Sequence, residues 1–70
     1  MDEFGQRLSG LMEKNKTSAY RLAKELDVHQ TTIKNWREGK CEPKASDIVN
    51  IATLFNVTCD YLLGSEPDWN

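Results

Sequence analysis

Apolar residues recur at helical spacing along almost the whole 70-residue chain. Phe4, Leu8, Leu11 and Met12 stand at i, i+4, i+7 and i+8 and predict a first helix from about residue 2 to 14. The polar stretch "NKTS" breaks it. Ser18 is placed to cap a second helix, whose Leu22, Ala23 and Leu26 share one face. Asp27 and Val28 end that helix. His29 or its neighbour opens a third, over residues 30–38, and Gly39 follows where a helix closes with φ > 0. "KCEPK" reads as a loop that Pro43 keeps extended. Ser46 is the candidate cap of a fourth helix, with Ala45 as the alternative start. Ile48, Val49, Ile51, Ala52, Phe55 and Val57 fit that helix and its exit. Thr58 caps a short fifth helix with Tyr61, Leu62 and Leu63, and Gly64 stops it. The end, "SEPDWN", reads as a frayed polar tail.

The pattern therefore predicts an all-α, compact five-helix domain over residues 1–64 with a polar tail over residues 65–70. The short connection between the second and third helices suits a helix-turn-helix. So short a chain holds one domain with a modest core, which argues against a substantial substrate cavity. A hydrophobic content of 39% is too high for plain disorder. No apolar run is long enough to span a membrane, and the acidic start lacks the features of a signal peptide, so a cytoplasmic protein is expected. Cys41 and Cys59 read as free thiols, one in a loop and one near a helix start. With His29 they lack zinc-finger spacing, and no metal or other cofactor is expected.

The third helix carries the informative chemistry. Ile33 and Trp36 define its buried side, with Thr32 beside them. The opposite side presents Gln30, Thr31, Lys34, Asn35 and Glu38. Thr and Asn are weak helix formers, so helix stability did not select them. They suit the reading of base edges instead. Gln or Asn pairs with adenine N6 and N7, Lys reaches guanine, and Thr offers a hydroxyl and a methyl group. The plain alternative is a weakly optimised surface helix. Charge bears on the choice. The total is −2, yet residues 14–44 hold eight basic side chains against four acidic ones, leaving +4 between acidic ends. A polyanion responds to charge within a Debye length of ~8–10 Å, so the basic middle counts for more than the total.

These residues carry a resemblance. "LAKELDVHQTTIKNWREGK" resembles the lambda-repressor/Cro-like (XRE group) helix-turn-helix DNA-binding family, and "IVNIATLFNVTCDYLLG" resembles that family's fourth and fifth helices. The likeness spans residues 4–64. It implies a five-helix DNA-binding domain, often dimeric, whose third helix enters the major groove. It places base contacts on Gln30, Thr31, Lys34 and Asn35. Phosphate contacts fall on Ser18 and Tyr20 at the start of the second helix and on Lys40 after the third. Charge and proximity add Lys16 and Lys44. The chain also departs from the family pattern. Asp27 stands at the turn position that is usually Gly. Ala19 stands where Gln is frequent, so one contact is missing. His29 replaces the usual Ser or Thr cap and reads as an exposed imperfect cap or as a DNA contact. A frequent Arg–Glu pair between the first and third helices becomes Met12 and Arg37. Met12 is then core filler, and Arg37 is free to meet solvent or phosphate. Tyr61 and Leu63 fit either a dimer contact or the edge of the core, Leu62 closes the core, and Trp69 lies in the tail.

The resemblance implies a sequence-specific transcriptional regulator of bacterial or phage type, a repressor acting on double-stranded DNA as a homodimer. The competing readings are an antitoxin, disfavoured by the short stretch after residue 64, and a protein-interaction module, favoured by the acidic total. A nucleophile triad, a zinc-protease motif and a phosphate loop are all missing, so an enzyme is not expected. No small-molecule effector site is expected in so short a chain.

Overall fold

A computed structural model describes residues 2–66. Five helices follow one another: α1 (Asp2–Lys14), α2 (Ala19–Leu26), α3 (Gln30–Arg37), α4 (Ala45–Phe55) and α5 (Cys59–Leu63). No strand occurs among the described residues. Helix α1 packs on α3 and α5, α2 packs on α3 and α4, and α4 packs on α5. The expected all-α architecture is the observed one.

The periodic apolar positions converge on a single core. Phe4, Leu8, Leu22, Ile33, Ile51 and Leu62 are fully buried, one or two from each helix. Leu11, Met12, Ala23, Trp36 and Ala52 complete it. Phe4 and Trp36 meet edge to face, with ring centroids 6.1 Å apart, and join α1 to α3. Met12 is the buried filler its neighbours require. Val49 departs from expectation: it lies one residue beyond Ile48, about 100° around the helix, and is 52% exposed.

All five helices end in the same way. An N–H returns to the carbonyl five residues back, in the last turn: Thr17 to Met12, Val28 to Ala23, Lys40 to Asn35, Val57 to Ala52 and Ser65 to Asp60, at 2.8–3.0 Å. Each reversal needs a left-handed residue, and these are Lys16, Asp27, Gly39, Asn56 and Gly64. Asp27 does take the left-handed form anticipated for it, with φ 57° and ψ 47°.

The helix starts follow side-chain chemistry. Ser18 Oγ accepts from the Arg21 N–H at 3.1 Å, and Thr58 Oγ1 accepts from the Tyr61 N–H at 3.0 Å. His29 is the N-cap of α3 but makes no side-chain capping bond, as the imperfect-cap reading anticipated. Ser46 does not cap α4. Lys44 is the N-cap and Ala45 the first helical residue, because the Asp47 carboxylate accepts the Lys44 N–H at 3.0 Å.

Arg7 organises the opposite corner. Its Nη1 donates to the carbonyls of Tyr61 at 3.1 Å and Glu66 at 2.8 Å. Its guanidinium lies 4.6 Å from the Tyr61 ring centre, and its Nε is 3.4 Å from Glu3. Glu66 also accepts from Thr58 Oγ1 at 2.7 Å. Ser65 and Glu66 are thus tied to the domain rather than frayed, because Arg7 and the α5 closure supply partners. Tyr61 is half-buried at the core edge, while Leu63 remains 39% exposed. Trp69 lies outside the described residues.

Candidate nucleic-acid interface

Helix α3 is held by its inward residues, and its outward row follows from that. Ile33 and Trp36 are buried against the core, which leaves Gln30, Thr31, Lys34 and Glu38 exposed. Thr31, Lys34 and Glu38 form a stripe at i, i+3 and i+7, the centre of the outward face. Gln30 and Arg37 lie on the edge toward α1 and α2. Asn35 lies on the other edge, near Thr32, and is half-buried.

An open groove of about 590 Å³ runs along this edge, lined by Ser9, Ala19, Gln30, Thr31, Lys34, Arg37 and Glu38. A second depression continues from it across Ser9, Ala19 and Arg37 to Lys16 and Ser18. A third meets it at Gln30 and carries Tyr20, Lys24 and His29. The surface is continuous, so three of the four sequence-assigned base-reading residues adjoin Lys16, Ser18, Tyr20 and Arg37. Ala19 lines both the groove and the depression that continues from it. Tyr20 is 61% exposed, with Lys24 Nζ 6.0 Å from its ring centre. These two residues present a hydroxyl and a cation on one ridge of α2.

Arg37 is not free. Its Nε donates to Ser9 Oγ at 3.0 Å, a link from α3 to α1 made at Ser9 rather than at Met12. The bond is exposed and leaves the other guanidinium nitrogens able to meet an anion. Ser9 falls outside the sequence-assigned set, since a small polar residue in a helix gives no signal of its partner.

Asn35, Lys40 and Lys44 lie apart from the groove. The Asn35 carbonyl accepts the Lys40 N–H at 2.9 Å, so the left-handed Gly39, with φ 74°, folds Lys40 back over the end of α3. Lys40 Nζ then reaches Glu38 Oε1 at 3.1 Å. That hydrogen bond, helped by the charges of Lys40, Lys34 and Arg37, holds the Glu38 carboxyl below the usual carboxylate range. Lys44 is exposed at the start of α4.

Among the described residues no cluster of metal-ligating side chains occurs, and no helix is long and apolar enough to cross a membrane. Cys41 and Cys59 are free thiols, exposed and half-buried respectively.

Comparison with known proteins bears on the family of the chain. A family model described as helix-turn-helix matches residues 9–62. An uncharacterized HTH-type transcriptional regulator of Haemophilus influenzae is 34% identical over 62 residues, covering 87% of this chain and 25% of that protein. The chain thus spans about a quarter of the length of that curated relative. No solved structure matches the chain.

Proposed function

The chain belongs to the helix-turn-helix family, and we propose that it is a DNA-binding transcriptional regulator, a repressor that reads an inverted-repeat operator in the major groove. The observation that carries this reading is the continuity of the Gln30–Thr31–Lys34 groove with Lys16, Ser18, Tyr20 and Arg37. A reading helix needs base-edge donors and acceptors at its N-terminal turns and backbone-gripping groups on its flanks. This surface supplies both. Gln30 and Asn35 read adenine, Lys34 reads guanine, and Thr31 offers a hydroxyl and a methyl group. Lys16, Ser18, Tyr20, Arg37, Lys40 and Lys44 grip phosphates. The role is binding rather than catalysis, and its place is the cytoplasm.

The working unit is a homodimer on DNA. The domain's longest dimension is 29 Å, so one copy covers one half-site, and two half-sites lie about 34 Å apart on one face of the duplex. Selection from random duplexes tests the whole reading. Enrichment of an inverted repeat supports it, whereas no enrichment at low salt favours a protein-interaction module.

Specificity and affinity should separate by mutation. Asn35→Ala should cost about 1–3 kcal/mol on the selected sequence and little on random duplex. Lys40→Ala should weaken both alike and make the slope of log affinity against log salt shallower by ~0.9 for each phosphate that is no longer neutralised. Titration of each variant on both duplexes across several salt concentrations checks this. Equal weakening by Asn35→Ala on both duplexes, or an unchanged slope in Lys40→Ala, would show the assignment to be mistaken.

A further inference from the structure

Glu38 occupies a position that a helix does not favour for an acid. It is the C-cap of α3, where a negative charge opposes the helix dipole. It is exposed. It is also the acid among the described residues lining the reading groove, beside Gln30, Thr31, Lys34 and Arg37. Arg37 turns its Nε to Ser9, and the cation within ion-pair distance of Glu38 is Lys40, at 3.1 Å. The Gly39 reversal and the Lys40 N–H bond to Asn35 bring the two side chains together.

We propose that Glu38 is an internal stand-in for DNA phosphate: it holds the Lys40 ammonium in the free protein and must release it when the backbone of a duplex arrives. The inference rests on the DNA-binding reading above and adds a control on its strength. The C-terminal end of a reading helix lies nearer the backbone than its N-terminal turns. A carboxylate there gains nothing from bases and is repelled by phosphates. Exchange of Glu38 for phosphate on Lys40 leaves the carboxylate without its cation beside the polyanion. The cost falls on every sequence alike, so Glu38 lowers binding to bulk DNA and keeps occupancy dependent on the base contacts of Gln30, Thr31, Lys34 and Asn35.

A double-mutant cycle between Glu38→Gln and Lys40→Ala tests this, read as affinity for selected and random duplexes across a salt series. Glu38→Gln keeps the side chain's shape, and a melt confirms that each variant is folded. Alone, it should tighten binding to both duplexes about two- to fivefold at low salt, with the gain shrinking as salt rises. In the Lys40→Ala background the same change should give a clearly smaller gain, since only the repulsion between carboxylate and phosphate remains once the cation that Glu38 holds is gone. An equal gain in both backgrounds overturns the proposal, because Glu38 would then act without Lys40. A gain or loss confined to the selected duplex also overturns it, since Glu38 would then be reading a base. If the unmodified protein binds neither duplex at low salt, the DNA-binding reading falls and takes this inference with it. If it binds and Glu38→Gln changes nothing, this inference alone fails.

Discussion

Trp36→Ala should leave the domain unfolded or at the edge of unfolding. Trp36 is 3% exposed and stands edge to face against Phe4, so it is both core volume and the join between α1 and α3. Truncating a buried Trp costs about 3–5 kcal/mol. A single core in a domain of this size supplies about the same amount in total. Loss of the ring empties the space under α3, and the rest of the core is too small to close over it. A thermal melt should show no cooperative transition near that of the unmodified protein. Trp36→Phe keeps part of the ring packing and should retain a transition at lower temperature. A melt of Trp36→Ala that matches the unmodified protein, with DNA binding alone abolished, would mean that the ring is a DNA-stacking surface and not core.

That Trp36 faces inward was legible because it repeats at i+3 from Ile33 within a helix whose other residues are polar. The helix limits were legible for similar local reasons: Ser18 and Thr58 precede apolar runs, and Gly39 and Gly64 follow them. Where chemistry allowed two local answers, the stronger capper was not always chosen. Ser46 is a better N-cap residue than Lys44, yet Asp47, three residues after Lys44, accepts that residue's N–H and moves the helix start back. Lys16 and Asn56 adopt the left-handed form without the glycine that would have marked it, because the i−5 closing bond offsets the cost locally.

The site divides in the same way. The outward position of Gln30, Thr31 and Lys34 follows from helical geometry once Ile33 and Trp36 are inside. Asn35 sits far enough round the helix to be half covered, which a wheel places only to within a residue's width. The Ser9–Arg37 bond spans 28 residues, and Arg7 reaches carbonyls 54 and 59 residues away. Such bonds depend on how helices cross, and spacing within one helix carries no record of that. The basic middle of the chain was visible as composition. That Lys40 is held by Glu38 and Arg37 by Ser9 was not, since each pairing depends on backbone geometry at the end of α3 or on the approach of α1.

Gly5 shows the same limit, and substitution there should damage the fold through backbone alone. It lies one residue after Phe4 in α1 and looks like a poor helix former that any Ala would improve. A Cβ at Gly5, however, would stand 2.7 Å from the Trp36 carbonyl oxygen and 2.8 Å from that of Arg37. Both obstacles are backbone at the end of α3, so no rotamer change relieves them. Helix α1 must move off α3, which loosens Phe4 from Trp36 and Ser9 from Arg37. Overpacking of this kind costs about 1–3 kcal/mol, and more where main chain has to shift. The helix-propensity gain of Ala over Gly offsets only about 1 kcal/mol. We expect Gly5→Ala to lose about 2 kcal/mol net, the upper end of that range less the propensity gain, a fall in Tm of roughly 8–16 °C for a domain of this length. Gly10 provides the contrast in the same helix. A Cβ there meets nothing within 4 Å, and the residue is exposed. Gly10→Ala should therefore stabilise by about 0.5–1 kcal/mol, because only the propensity difference remains. Melts of the two variants beside the unmodified protein should shift in opposite directions. Gly5→Ala melting as high as Gly10→Ala would mean that α1 and α3 do not meet backbone to backbone, and the placement of α3 by α1 would have to be abandoned.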